Sequence, residues 1–182
     1  HDRHLPDVLT ALGAGKHVLV EKPIGRTLEE ADRMLAAARE AGLTLMVGEN
    51  FHYMPAFRHV RRVVTSGALG RLREMHLVAR GFRELKGWRT TGERMGGGVL
   101  IDGGIHYVHN LRCWGGEVRR LYALRPPQAL TGMVEEDGVQ VLAELEGGVV
   151  GFLANSFGTP GMLPFQWSTV TGATGTCFAD NR

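Results

Sequence analysis

Three side chains of this sequence have the types and positions that acid–base chemistry requires. Asp102 and His106 are four residues apart and would share one face of a helix. A carboxylate one helical turn before an imidazole can orient the ring and stabilise its cation. Lys22 lies in Glu21-Lys22-Pro23 directly after a short apolar segment, where its ammonium could stabilise a developing negative charge. The alternatives are an exposed Asp–His pair and an ordinary surface lysine in a proline turn that is trans or cis.

Glycines and an aromatic residue surround the Asp–His pair in the sequence. Gly103 and Gly104 each weaken a helix interior by about 1 kcal/mol relative to alanine. We therefore expect another group to approach the backbone closely at these positions. Trp88 and Arg89 precede the glycine-rich segment and could form a wall and an anion contact in a substrate pocket. Core packing is an equal alternative for Trp88.

The histidine and cysteine spacing does not predict a metal site. His106-x-x-His109 is a close pair, but a metal site needs a converging set of ligands. The two cysteines, Cys113 and Cys177, are far apart and neither lies in a Cys-x-x-Cys motif. We therefore predict two free thiols in a reducing compartment, which favours a cytoplasmic location, although one disulfide is possible.

The elements that must position Lys22 follow an α/β rhythm up to about residue 50. Helices are predicted at 6–15 and from Thr27 to Gly42, and buried strands at 17–20 and 44–47. This pattern is typical of the last part of a Rossmann-type parallel sheet, whose strands are buried on both faces. Ligands bind at the carboxyl edge of such sheets. A whole fold of this type needs two halves, so we expect about 80–100 further residues before His1.

After Asn50 the pattern changes to that of an α+β domain. Helices are predicted at 55–66 and 98–114, and an alternating, half-exposed antiparallel strand begins at Arg71. Further strands are predicted at 117–125, 138–146, 148–156 and 165–172, with a hairpin turn at 146–148. The sequence therefore predicts a dinucleotide-binding part over 1–50. It predicts a mostly antiparallel sheet with helices on one face over 51–182, which we expect to be truncated at its end.

Composition excludes several classes of protein. Apolar residues make up 43% and charged residues 22% of 182, which is globular and argues against a disordered chain. The longest nearly uncharged apolar stretch, 147–158, is too short and too rich in glycine to cross a bilayer. Basic residues concentrate at 58–94 without the interleaved aromatic residues of single-strand binders. We therefore predict neither a membrane nor a nucleic-acid partner.

Together these motifs resemble the Gfo/Idh/MocA family of NAD(P)-dependent oxidoreductases. The resemblance is ordered along the chain and covers most of it. It rests on His4, the segment AGKHVLVEKP at 14–23, Asn50, Pro55, the segment SGALG at 66–70 and the segment GGGVLIDGGIH at 96–106.

The resemblance implies a Rossmann domain followed by an α+β domain whose open sheet often mediates oligomerisation, and hence a homo-oligomer. It implies that NAD or NADP oxidises a sugar, a polyol or a related hydroxy compound. The implied residues are Lys22, Asp102 and His106 for catalysis, Glu21, Lys22, Pro23 and Asn50 for the cofactor, and Trp88, Arg89 and His52 for the substrate.

Two features depart from the family pattern. The glycine-rich phosphate loop would lie before His1, and His52 stands where arginine is frequent in the family. In the mechanism that the resemblance implies, His106 is the base and Lys22 stabilises the alkoxide. Asp102 then orients His106 or polarises a substrate hydroxyl. The alternatives are a non-catalytic dinucleotide-binding sensor or regulator, and a fragment that is inactive by itself.

Overall fold

The computed structural model describes residues 1–161 and 165–180. It begins with an α/β unit of two helices and two strands, α1 (His4–Gly13), β1 (Val18–Glu21), α2 (Leu28–Glu40) and β2 (Leu45–Gly48). The strands pair in parallel, and the side chain of Thr27 caps α2 by accepting a hydrogen bond from the Glu30 amide. Gly42 ends the helix region with a φ of 63°. These features confirm the predicted α/β rhythm.

The helices of residues 1–50 cover these two strands on one face, as the prediction of buried strands requires. Val20 packs in one apolar cluster with α1 and α2, which lie on the same side of the sheet. Leu19 and Met46 point to the opposite side and are 70% and 43% exposed.

The rest of the chain forms a second, larger unit. It begins with a 3-10 turn at Asn50–Tyr53, and further turns of this kind lie at Gly87–Thr90 and Glu146–Gly148. A π-helical turn spans Leu100–Gly104. The helices are α3 (Pro55–Thr65), α4 (Gly92–Met95) and α5 (Ile105–Gly115), and the strands are β3 (Leu72–Arg80), β4 (Val118–Leu124), β5 (Gly138–Leu145), β6 (Val150–Ser156), β7 (Phe165–Gly172) and β8 (Thr176–Asp180).

These six strands form one sheet in the order β4-β5-β6-β3-β7-β8. Four of the five pairings are antiparallel, whereas β3 pairs in parallel with β6. The predicted fold class is therefore confirmed, and the hairpin turn is formed by Gly147 and Gly148 at positive φ. The predicted antiparallel pairing of β3 is confirmed for its neighbour β7, whereas its other neighbour, β6, is parallel. Four of the nine residues of β3, Met75, Leu77, Val78 and Ala79, are buried. Strand β8 was not predicted.

The helices lie on one face of this sheet, as the sequence predicted. The side chains of α3 and α5 pack with those of β3, β5, β6 and β7 in one core that includes Val60, Leu111, Met75 and Leu153. The opposite face remains open. Its exposed apolar residues are Tyr122, Leu124, Leu142, Val150 and Phe178. No helix within residues 1–161 and 165–180 is long and apolar enough to span a membrane.

The helix predicted over 98–114 is confirmed, but its first part contains a π-helical turn, Leu100–Gly104, directly before α5. Gly103 and Gly104, which lack a Cβ, allow the backbone of this turn to lie close to the neighbouring side chains. A Cβ added at Gly104 would lie 2.7 Å from Leu100 Cδ1, and one at Gly103 would lie 3.1 Å from Phe157 Cζ. Either Cβ would be 3.4 Å from Asn155 Oδ1. The expected close approach is confirmed, and the π turn delivers Asp102 to the same region.

Candidate active site

A cavity of about 260 Å³ lies where the α/β unit meets the larger sheet. Its walls come from the end of β1, the π-helical turn, the first turn of α5 and the end of β6. The three predicted catalytic residues, Lys22, Asp102 and His106, all line it. The structure therefore brings together residues that lie far apart in the sequence. Phe51, Tyr107 and Asn155 also line the cavity.

Lys22 reaches the cavity from the residue after β1, at the carboxyl edge of the parallel pair. The Lys22–Pro23 peptide bond is cis, and the His4 ring binds the Pro23 carbonyl through Nδ1 at 2.7 Å. The Lys22 Nζ donates to the Asp102 backbone carbonyl at 2.5 Å and lies 3.5 Å from Asp102 Oδ1. Two of the three ammonium hydrogens can therefore be held by Asp102, which leaves one for a ligand.

Asp102 is a buried carboxylate that cations surround. Its side chain is 4% exposed, and Arg89 Nε donates to Oδ2 at 3.0 Å. The Lys22 ammonium and the His1 ring approach the other oxygen, Oδ1, at 3.5 and 3.8 Å. A buried carboxylate needs such compensation, because removal from water is costly for an isolated charge. Asp102 is thus placed to hold Lys22 and Arg89 in the cavity.

Glu49, rather than Asp102, holds the His106 ring. His106 Nδ1 lies 2.7 Å from Glu49 Oε1, and both side chains are nearly buried. Burial by itself would raise the pKa of Glu49. The hydrogen bond and the positive charge of His106 lower this pKa, as does the hydrogen bond that Glu49 accepts from the Phe51 amide, and together they outweigh the effect of burial. The carboxylate therefore accepts, and Nδ1 carries the hydrogen.

This arrangement leaves the other ring nitrogen of His106 available. The ring stacks on Phe51 with centroids 4.1 Å apart and planes 12° apart, which fixes its orientation. Within residues 1–161 and 165–180, His106 Nε2 forms no hydrogen bond. An imidazole held through Nδ1 by a carboxylate and free at Nε2 is suited to accept a proton.

Sequence analysis missed Glu49 as a functional residue. A usable signal existed, because Glu49 directly follows β2 just as Lys22 directly follows β1, and parallel strands end at one edge. The spacing of four residues between Asp102 and His106 predicted instead that the Asp102 carboxylate orients the His106 ring. The intervening π turn changes their relative direction, and the two side chains take different partners.

Two further polar groups are buried beside the cavity. Within the part of the chain that the structure describes, neither has a hydrogen-bond partner. They are the Tyr107 hydroxyl and Asn155 Oδ1, and both residues line the cavity. Burial raises the pKa of Tyr107 far above its ordinary value, so the phenol stays protonated and can donate a hydrogen bond. Buried polar atoms without partners are uncommon. A ligand that carries hydroxyl groups would satisfy both.

The structure places the other predicted site residues differently. Glu21 and Asn50 are exposed at the carboxyl ends of β1 and β2, and Pro23 is buried. Arg89 lines the cavity, and its guanidinium stacks on the Trp88 ring at 4.4 Å, so Trp88 supports an active-site residue. His52 is not among the residues that line the cavity. The turn that aims Phe51 into the cavity directs His52 away, towards His109 and Arg61.

Comparison with known families matches almost the whole chain. Residues 2–49 match a family described as an oxidoreductase family with an NAD-binding Rossmann fold. Residues 57–178 match the GFO/IDH/MocA C-terminal domain. The boundary between the two matches coincides with the change from the small parallel sheet to the large mixed sheet.

Curated relatives and a solved structure show the same likeness. The chain is 32% identical over 166 residues to a 1,5-anhydro-D-fructose reductase of Ensifer adhaerens, covering 87% of this chain and 49% of that protein. It is 34% identical to a trans-1,2-dihydrobenzene-1,2-diol dehydrogenase of Mus musculus, covering 91% and 53%. The crystal structure of GenD2 from gentamicin A biosynthesis, in complex with NAD, superimposes with a TM-score of 0.89 at 30% identity, covering 98% and 51%. The chain spans about half the length of these relatives.

Proposed function

This chain belongs to the GFO/IDH/MocA family of oxidoreductases, and from that premise we propose that it carries the catalytic site of an NAD(P)-dependent dehydrogenase. The substrate that we propose is a sugar, a polyol or a related hydroxy compound. The observation that carries the proposal is the convergence of Lys22, Asp102 and a Glu49-held His106 on one cavity. The relatives named for a sugar-derived ketone and for a diol support the substrate class.

The two parts of the chain take different roles in this proposal. Residues 1–50 are the C-terminal part of a dinucleotide-binding domain, and residues 51–182 belong to a substrate-binding and oligomerisation domain. The separate apolar cores of the two sheets support this division. Both cysteines are free thiols, which supports a cytoplasmic location.

The residues at the edge of the small sheet fit the nicotinamide end of NAD or NADP. The Glu21 carboxylate and the Asn50 amide are exposed at the carboxyl ends of β1 and β2 and offer both acceptors and a donor to a carboxamide. The cofactor, when bound, supplies the hydride acceptor. Lys22, which lines the cavity, and the adjoining Pro23 complete the cofactor contacts that we propose.

The protein groups then handle the proton and the developing charge. His106 Nε2 accepts the proton of the substrate hydroxyl, and the Glu49 carboxylate stabilises the resulting imidazolium. The remaining Lys22 hydrogen is donated to the substrate oxygen, where it offsets negative charge in a site of low dielectric. Asp102 holds Lys22 and Arg89 in place. Tyr107 and Asn155 bind neighbouring hydroxyls, and Arg89 and Trp88 form the remaining wall.

A steady-state assay of the protein with NAD and NADP tests this function. We expect reduction of one dinucleotide with at least one member of a panel of aldoses, inositols, anhydro sugars and vicinal diols. Dinucleotide binding by calorimetry without turnover on the panel would favour a sensor or regulator of the same fold. The absence of both binding and turnover would contradict the proposal for this protein.

We also propose that the protein forms a homo-oligomer through the open face of the large sheet. Leu142 is 53% exposed on this face, between Tyr122 and Phe152 of the adjacent strands. Burying such a contiguous apolar surface is favourable by roughly 25 cal/mol per Å².

The substitution Leu142→Arg is therefore expected to shift the protein towards monomer, because it places a charge at the centre of the proposed interface. Sedimentation velocity measures the shift. Leu35→Arg is the matched control, because Leu35 is 44% exposed on α2, away from this sheet. A wild-type protein that sediments as a monomer, or an unchanged oligomer in Leu142→Arg, would contradict the proposed interface.

A further inference from the structure

A second cluster of chemically reactive side chains lies on the far side of the 3-10 turn that follows β2. His52 comes from this turn, and His109 and Cys113 come from α5, one helical turn apart. One ligand atom from each residue lies within 4.8 Å of the others, and all three side chains are partly buried. None of the three lines the cavity that contains Lys22 and His106. The cluster is therefore separate from the proposed catalytic site.

The two imidazoles already have the separation that a shared metal ion needs. His52 Nδ1 lies 3.2 Å from His109 Nε2, and the two rings form a T-shaped pair with their planes 65° apart. Two nitrogens bound to tetrahedral zinc at about 2.0–2.1 Å are roughly 3.4 Å apart. Only a small movement of Cys113 is needed to bring its sulfur into the same coordination sphere.

The hydrogen-bond network shows that both rings are neutral, which is the form that binds metals. The Arg61 guanidinium lies 3.0 Å from His52 Nε2 and can only donate, so Nε2 accepts and Nδ1 carries the hydrogen. His109 Nε2 then accepts from His52 Nδ1. Burial, the nearby His52 and Arg61, and His106 lower the pKa of His109, although Glu49 opposes them.

We propose that His52, His109 and Cys113 form a binding site for a divalent metal ion that prefers nitrogen and sulfur ligands, of which Zn²⁺ is the representative. The fourth coordination position is left to water. On binding, the Cys113 thiol releases its proton to solvent and its thiolate sulfur bonds to the metal. The His52 hydrogen moves from Nδ1 to Nε2, and the exposed Arg61 side chain turns away.

Such an ion would connect the turn at Asn50–Tyr53 to α5. That turn carries Phe51, on which the His106 ring stacks, and α5 carries His106 itself. The site therefore adds a cross-link beside the proposed catalytic base without entering its cavity. Sequence spacing could not reveal it, because His52 is 57 residues from His109.

Cobalt titration of the metal-free protein tests the site with a readout that is independent of activity. Co²⁺ is expected to produce the intense visible bands of four-coordinate cobalt and a near-ultraviolet sulfur-to-cobalt charge-transfer band, and Zn²⁺ is expected to abolish both. Cys113→Ser should remove the charge-transfer band. His109→Ala and His52→Ala should each weaken Zn²⁺ binding by at least about 10-fold, because even the loss of a supporting residue has effects of this size.

Matched variants separate this site from general metal binding and from misfolding. His59→Ala and Cys177→Ser, at positions outside the cluster, should bind Co²⁺ with the wild-type spectrum. Arg61→Ala should bind Zn²⁺ more tightly, because it removes a competing donor and a nearby positive charge. All variants are compared by circular dichroism in EDTA. A wild-type spectrum without the sulfur band, or an unchanged spectrum in Cys113→Ser, would overturn the proposal, whether or not the protein oxidises a substrate.

Discussion

Replacement of His106 by alanine is expected to lower kcat by at least about 100-fold, the usual scale for a positioned general base. The physical reason is that His106 is oriented by a carboxylate at Nδ1 and by the face of Phe51, while Nε2 remains available in the cavity. Lys22→Ala is expected to have an effect of similar size. The Lys22 ammonium is held by the Asp102 carbonyl and can still donate one hydrogen to the substrate oxygen.

These effects should be confined to turnover. Steady-state kinetics on the best substrate of the panel gives kcat, and calorimetric titration gives the affinity for NAD(P), which should change much less. The matched controls are His59→Ala on the exposed side of α3 and Lys86→Ala, whose side chain is 80% exposed. Near-parental turnover in both His106→Ala and Lys22→Ala would show that another acid–base group is responsible.

Glu49→Gln is expected to lower kcat by roughly 10- to 100-fold, the scale found for groups that orient a functional histidine. The amide keeps the shape of the side chain but can no longer stabilise the imidazolium that forms when His106 accepts a proton. Because the charged ring loses its anionic partner, the acid limb of the pH profile of kcat/KM should move to lower pH. A purely structural role of Glu49 would reduce activity without moving this limb.

The folding stability of the same variant provides a second readout. The pKa of Glu49 is lowered in the folded protein, so its ionised form stabilises the fold above the ordinary pKa of a glutamate. This stabilisation is lost as the pH falls through the folded value. Urea unfolding should therefore show wild type to be more stable than Glu49→Gln at neutral pH, with the difference shrinking on acidification. Glu40→Gln, exposed at the end of α2, is the control.

Residue order and periodicity were sufficient for much of the fold. Helix caps such as Thr27, turn glycines such as Gly42 and Gly147, and the alternation of apolar residues act over a few neighbouring positions, so they can be interpreted locally. Pairing of strands is different, because it joins distant segments. The alternation of residues from Arg71 predicted an antiparallel strand, and the structure adds that β3 lies between β6 and β7 with one parallel and one antiparallel neighbour.

For the candidate site, the sequence by itself determined which residues we propose as catalytic, because Lys22 at the end of an apolar strand and Asp102 and His106 in a glycine-rich segment are local patterns. Only the tertiary structure decided which side chain each of them contacts. The carboxyl ends of β1 and β2 lie side by side, so Glu49 rather than Asp102 reaches His106. Asp102 lies in the π-helical turn, where its side chain contacts Lys22 and Arg89 instead of the His106 that an ideal helix would place beside it.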